Sequence, residues 1–143
     1  MKKKIAKQVL EIIRKWDAKN INSETRSKLL TTIIMLKKVV AEIDETIKSL
    51  NEAMTDEEKK AAVVVQNLKK KVVEDNNYQM TESEMDAATV IKNWEIVANK
   101  SLAEILDTEI EMKKLSAEEF DMIVENNEMS MGMYEELFEL LVG

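Results

Sequence analysis

The sequence contains no cysteine, no histidine and no proline, and its only two glycines are Gly132 and Gly143. The absence of cysteine excludes disulfide bonds, so nothing in the chain requires an oxidising compartment. Glycine and proline form many tight turns and interrupt helices, so their scarcity favours long helices with short connections. A β-rich domain with almost no turn glycine would be difficult to build. The composition therefore predicts an all-α protein.

The lack of histidine and cysteine also restricts the chemistry that the chain can perform. It removes the commonest general bases, the thiolate nucleophiles and most transition-metal ligands. Serine–histidine and cysteine–histidine mechanisms are impossible within this chain, and neither glycine lies in a phosphate-binding loop. Lysine, acidic residues and tyrosine can still catalyse reactions, and a carboxylate-based enzyme is the weakest alternative. We expect a protein that is not an enzyme and that holds no cofactor.

Two patterns of side chains are compatible with a metal ion. The acidic pairs Glu82 with Asp86 and Glu104 with Asp107 share helix faces and could offer oxygen ligands to calcium or magnesium. The methionines of segment 129–133 could offer thioether ligands to Cu(I). No EF-hand spacing is present, and no histidine or cysteine accompanies the methionines. We interpret the acids as solvated and the methionines as adaptable packing residues, and we predict no metal site.

The size and hydropathy of the chain indicate a small globular protein. Of its 143 residues, 45% are hydrophobic and 34% are charged, which suits one domain with a core of its own. No apolar run approaches the roughly 20 residues that span a bilayer. Charges soon interrupt the apolar stretch after the basic start, which argues against a signal peptide. We therefore predict a soluble, cytoplasmic protein with no membrane span.

The formal net charge of −7 is unevenly distributed along the chain. Residues 1–40 contain eleven Lys/Arg and three Asp/Glu, which is a net charge of +8. Residues 41–100 contain eight and thirteen, a net charge of −5, and residues 101–143 contain two and twelve, a net charge of −10. This gradient favours contact between opposite ends, within one chain or between neighbouring chains. Two independently solvated faces explain the gradient about equally well.

The second predicted helix, residues 23–54 with Ser23 as its N-cap, carries the clearest pattern in the sequence. Its apolar residues follow alternating steps of four and three, as in the a/d seam of a coiled coil. The a positions are Ile33, Val40 and Ile47, and the d positions are Leu36, Ile43 and Leu50. The g positions are Thr32, Val39, Thr46 and Ala53. Because these g residues are uncharged, the buried stripe is wider than a two-stranded seam, and a bundle of three or more helices is expected.

The remaining helices follow from periodicity and from capping boxes. A first amphipathic helix is predicted over residues 3–19, with Ile5, Val9, Ile12, Ile13 and Trp16 on one face. Capping boxes at residues 55–58, 81–84 and 116–119 each place a hydroxyl three residues before a glutamate. The helix that begins at the first box is predicted to end near residue 74, the one at the second box as late as residue 115, and the one at the third box near residue 125. A last helix is predicted over residues 131–142.

These elements predict an all-α helical bundle of about five or six helices. The polar stretch at residues 75–80 suggests a division into a basic N-terminal unit, residues 1–75, and an acidic C-terminal unit, residues 76–143, within one compact domain. Small, cysteine-free chains of this kind resemble accessory proteins of bacteria and their phages in style. That likeness is not a motif and cannot supply a function.

The functional expectation is a protein that packs against other protein chains, as an adaptor, an inhibitor or a structural component. The wide apolar seam of the second helix exceeds what one chain of this size is expected to cover, so the partner is another copy of the chain or a different protein. The predicted interface consists of the seam residues Ile33, Leu36, Val40, Ile43, Ile47 and Leu50.

The basic first helix supports an alternative, a module that binds nucleic acid or a nucleotide. Its cations could contact phosphate groups. The acidic net charge and the few aromatic residues count against nucleic acid, and the cations could equally be solvated or paired with the acidic C-terminal segment. The residues proposed for anion binding are Lys2, Lys3, Lys4, Lys7, Arg14 and Lys15.

Overall fold

The computed structural model describes all 143 residues and contains six α-helices and no β-strand. This confirms the predicted all-α bundle of five or six helices. A single 3-10 turn, Lys3–Ile5, precedes the first helix. The helices are α1 (Ala6–Ile13), α2 (Ser23–Glu52), α3 (Asp56–Glu74), α4 (Glu82–Leu106), α5 (Ala117–Glu125) and α6 (Met131–Leu141).

The predicted capping residues begin three of these helices. The Thr55 hydroxyl accepts the N–H of Glu58, and the Glu58 carboxylate accepts the N–H of Thr55, which is a complete capping box. Thr81 and Glu84 make the same reciprocal pair at the start of α4. The hydroxyl of Ser116 accepts the N–H of Glu119 at 3.1 Å. These bonds satisfy backbone donors that have no partner within the helix.

The start of α2 differs from the prediction by one residue. The side-chain oxygen of Asn22 accepts the N–H of Thr25 at 2.8 Å, and Ser23 is already the first residue of the helix. Asparagine and serine are about equally good N-caps, so the sequence alone did not separate the two.

Two helices are shorter than the sequence predicts. The first ends at Ile13 rather than near residue 19, because side chains from the end of α5 bind the backbone of residues 17–19. The fourth ends at Leu106 and does not continue to residue 115. There the N–H of Ile110 donates to the carbonyl of Met1 at 2.7 Å, and the N–H of Lys3 donates to that of Thr108 at 2.9 Å. These backbone bonds replace the helical ones.

The chain forms two compact units. The first contains Met1–Ile43 and Leu106–Gly143, and the second contains Asp44–Ile105. The predicted division at residues 75–80 does not coincide with these units, since that loop lies inside the second one. Both ends of the chain belong to the first unit, where opposite charges meet. The Lys28 ammonium, for example, lies 2.7 Å from the Glu119 carboxylate.

The core of the first unit is built around Phe120, which is completely buried. Its ring makes edge-to-face contacts with those of Trp16, Tyr134 and Phe138, at centroid distances of 6.4, 5.3 and 5.7 Å. Aromatic pairs favour this geometry because the positive edge of one ring meets the negative face of another. The other buried apolar residues around it include Leu10, Ile13, Leu36, Ile110, Leu115, Ile123, Leu137 and Leu141.

The second unit has a smaller apolar core than the first. Its buried cluster consists of Ala61, Ala87 and Ile91, and partly buried valines pack against it. Alanine buries less apolar area than leucine or phenylalanine, so each contact in this unit removes less surface from water. None of the six helices combines the length and the apolar composition that a membrane-spanning helix requires.

Candidate protein-interaction surfaces

The predicted interface on α2 divides into two parts. Leu36 is fully buried in the core of the first unit, and Ile33, Val40 and Ile43 are partly buried against that core. A side chain without exposed surface cannot contact a partner, so in the single chain Leu36 is a core residue. The predicted widening of the stripe is found in the first unit, where the g residues Thr32 and Val39 are buried.

The second part of the seam is more accessible. Ile47 is 40% exposed, and Leu50 is partly buried at the edge of a groove in the second unit. The g residues here, Thr46 and Ala53, are half-buried and exposed respectively. The same heptad pattern is therefore covered by the chain in the first unit and left more open in the second.

The predicted anion-binding residues are also divided. The ammonium groups of Lys2 and Lys4 lie 3.8 and 3.9 Å from the carboxylate of Asp107, and that of Lys3 lies 3.2 Å from Glu42. The first three lysines therefore pair with acidic side chains of the same chain. The other three residues, Lys7, Arg14 and Lys15, are exposed.

The N-terminal ammonium joins the same arrangement. It donates to the carboxylate of Glu109 at 2.8 Å, and this hydrogen bond is the main reason why the pKa of Glu109 lies below its usual value. The Lys28–Glu119 hydrogen bond likewise lowers the pKa of Glu119 and raises that of Lys28. Hydrogen bonds to the charged form favour that form. Basic groups from the N-terminal part of the chain thus pair with acidic groups from its C-terminal part inside the first unit.

A groove lies between three helices of the second unit. Leu50 in the last turn of α2 and Ala53 just after it form one side, and Val90, Trp94 and Val97 from α4 form the other. The first turn of α3 closes one end with polar side chains, and the volume is about 570 Å³. Trp94 is only half-buried and lines this groove. Because residues 90, 94 and 97 share a helix face, their spacing could have revealed it.

A cluster of three side chains braces the loop between α3 and α4. Tyr78 donates its hydroxyl hydrogen to Glu84 at 2.7 Å, and the ammonium of Lys71 lies 3.4 Å from the same carboxylate. The N–H of Thr81 also donates to Glu84, at 3.0 Å. This backbone bond, followed by the one from Tyr78, lowers the pKa of Glu84 to about 2. Glu84 is 6% exposed and the bonds to its carboxylate come from its own chain, which indicates a structural role.

The acidic pairs at residues 82 and 86 and at residues 104 and 107 remain on exposed surfaces. No group of three or more acidic side chains lies close enough together to hold a metal ion. Among the methionines of the segment 129–133, Met131 is exposed, whereas Met129 and Met133 are partly buried against the core of the first unit.

Comparison of the chain with protein-family models, with curated proteins and with solved structures gives no significant match.

Proposed function

We propose that this protein is a non-catalytic interaction protein that associates with a second copy of itself through its second unit. The observation that carries the proposal is the open groove in which Val97 faces solvent beside the half-buried Trp94 and Leu50. Val97 is 66% exposed, although it is a large apolar residue in the middle of a helix. Such a surface is stabilised when another chain removes it from water.

The distribution of exposed apolar residues supports this assignment. The large apolar side chains exposed in the second unit come from all three of its helices, and they include Ile47, Val63, Val72, Val73, Met85, Ile96 and Val97. The unit also has an alanine-rich core, so its own packing buries little apolar area. A second copy seated on the groove would cover the part of this surface that lies there, which includes Val97 but not Val63, as in other symmetric oligomers.

The length of α4 is sufficient for a protein–protein interface of typical area. Its 25 residues extend about 38 Å at a rise of 1.5 Å per residue. A stable interface buries about 800 Å² on each partner, and one helix of this length with a neighbouring helix can provide it. Of the predicted interface residues, Leu50 lines the groove, and Ile47 is 40% exposed on the same helix but outside the groove. The other four belong to the core of the first unit or pack against it.

Light scattering of the purified protein at micromolar concentrations tests the proposal. The expected mass is at least twice the 16.4 kDa of one chain. Val97→Lys should reduce it to that of one chain, because an ammonium group in a closed apolar interface is costly to desolvate. The matched control is Val63→Lys, since Val63 is similarly exposed (59%) but lies outside the groove. A monomeric wild-type protein, or equal effects of the two variants, would contradict the proposal.

The alternative of a nucleic-acid-binding module now rests on Lys7, Arg14 and Lys15, since the first three lysines have acidic partners. A gel-shift experiment with labelled DNA and RNA separates the two functions. The self-association proposal expects no shift at physiological salt. A shift that disappears when Lys7, Arg14 and Lys15 are changed to glutamate would favour the alternative.

A further inference from the structure

A second groove, in the first unit, runs between α1 and α6. Its floor is formed by the buried residues Val9 and Leu137, and its walls include the partly buried Ile5, Ile12 and Leu140. Its volume is about 500 Å³. The groove follows the whole of α1, about 12 Å at 1.5 Å per residue. An adjoining hollow, which shares Gln8, Ile12 and Met133 with the groove, extends it to Trp16. We call this continuous surface the α1–α6 groove.

The rim of the α1–α6 groove is acidic. Glu136 and Glu139 line it on α6, and Glu11 and Glu128 line the adjoining hollow. All four carboxylates are exposed, and Lys15 is the one basic residue that lines either part. Opposite charges on the two sides of an interface speed association and select partners. An occupant that carries lysine or arginine beside its apolar face therefore complements this rim.

The α6 side of the groove can adapt to an occupant. Met133 lines both parts of it, and the neighbouring Met131 is 81% exposed. Methionine side chains are unbranched and flexible, and surfaces rich in them bind helices of varied sequence. Gly132 lies between the two methionines, and a Cβ atom placed there would meet nothing within 4 Å. Gly132 lines the groove, so a larger side chain there would begin in open space at the α6 wall.

The conformation of the occupant follows from its backbone. An extended peptide on this apolar floor would leave N–H and C=O groups without partners, because the two walls are helices and present no strand edge. A helix satisfies its own backbone groups and offers apolar side chains at i, i+4 and i+7 to the floor. A third helix can also lie along the furrow between two packed helices, as in a bundle.

We infer that the α1–α6 groove binds a lysine- or arginine-rich amphipathic helix of another protein. The groove belongs to the first unit, so this inference does not depend on self-association through the second unit. Each can fail without affecting the other.

A synthetic peptide of about 18 residues, or five helical turns, is the probe. It carries leucine at i, i+4, i+7 and i+11, and lysine beside them. Binding is followed by the fluorescence of Trp16 in a Trp94→Phe background, so that the signal comes from the groove. The expected result is a saturable change in fluorescence. Gly132→Leu should weaken binding at least tenfold, which corresponds to about 1.4 kcal/mol, because it adds a bulky side chain to the lining of the groove.

A second variant tests the acidic rim of the groove independently of the change at Gly132. Glu136→Lys with Glu139→Lys should also weaken binding at least about tenfold, and a peptide with glutamate in place of lysine should not bind. The matched control is Glu74→Lys with Glu82→Lys, two exposed acidic residues of the second unit, which should leave binding unchanged. Circular dichroism verifies that each variant is folded.

Three results would overturn the inference. The first is the absence of saturable binding, and the second is equal binding of the acidic and the basic peptides. The third is self-association of the wild-type protein that Gly132→Leu abolishes, because the occupant would then be a second copy of this chain.

Discussion

The side-chain amide of Asn127 holds the backbone of Asp17 through two hydrogen bonds, although 110 residues separate them in sequence. Its oxygen accepts the N–H of Asp17 at 2.7 Å, and its nitrogen donates to the carbonyl of Asp17 at 3.2 Å. Asn126 makes a similar bond to the carbonyl of Lys19 at 2.7 Å. Two consecutive asparagines at the end of α5 thus fix the segment that follows α1. An asparagine side chain can substitute for a backbone neighbour because it has both a donor and an acceptor.

Asn127→Ala should lower the free energy of unfolding of the first unit by about 1–2 kcal/mol, because it removes both bonds to Asp17. Urea unfolding followed by the fluorescence of Trp16, in a Trp94→Phe background, measures the change. Asn99→Ala is the control, since Asn99 is an exposed helical residue of the second unit. Equal midpoints for the two variants would show that the amide bonds do not stabilise the unit.

Phe120→Ala should be the most damaging single change in the aromatic cluster. Phe120 is completely buried and contacts three other rings. Removing a buried phenylalanine side chain loses its transfer energy and leaves a cavity, at a cost of about 3–5 kcal/mol. Phe138→Ala provides the comparison and should cost less, because Phe138 is only partly buried. Thermal unfolding measured for both variants checks the order, and a more stable Phe120→Ala variant would contradict it.

Gly132→Ala should raise the stability of the first unit by about 0.5–1 kcal/mol. Gly132 lies in the first turn of α6, its φ angle is not positive, and its Cβ would meet nothing within 4 Å. The alanine therefore restricts the unfolded chain without straining the folded one. Urea unfolding measures the gain. A loss of stability would mean that the groove beside Gly132 is less open than the structure shows.

The second unit should lose stability at low pH because of Glu84. The pKa of its carboxyl group is about 2 in the folded protein, against about 4.3 for an ordinary glutamate. A lowered folded-state pKa contributes stability above the unfolded value, and that contribution is lost as the pH falls from about 4.3 to 2. Glu84→Gln should therefore flatten the dependence of stability on pH in this range.

Urea unfolding at pH 5 and at pH 3, followed by the fluorescence of Trp94 in a Trp16→Phe background, measures this dependence. Glu82→Gln is the control, because Glu82 is exposed and lies only two residues away on the same helix. An identical pH dependence for wild type and Glu84→Gln would show that another group is responsible.

The heptad seam of α2 shows how far a periodic pattern can be interpreted. Leu36 and Leu50 occupy equivalent d positions, yet Leu36 is fully buried and Leu50 lies at the edge of an open groove. Leu30 and Ile34 of the same helix are 57% and 47% exposed. Periodicity identifies which residues share a face, but the number of helices that cover this face depends on packing between distant segments.

The candidate surfaces were only partly predictable for the same reason. The sequence indicated Ile47 and Leu50 as contact residues, and of these two Leu50 lines the groove of the second unit, whereas Ile47 lines a separate hollow. It did not indicate the α1–α6 groove, because α1 and α6 lie at opposite ends of the chain and no local pattern connects them. The open space beside Gly132 depends on atoms that are distant in sequence, so the sequence does not reveal it.

Local sequence features were enough to establish the all-α class and the starts of the helices at Thr55, Thr81 and Ser116. These features are local, since a capping bond joins residues three positions apart and turn-forming residues are scarce throughout. The tertiary structure alone decided where α1 and α4 end, which lysines find acidic partners, and which apolar residues remain exposed. Each of these outcomes depends on bonds or packing between segments far apart in sequence, such as the one between Met1 and Ile110, and local patterns do not encode them.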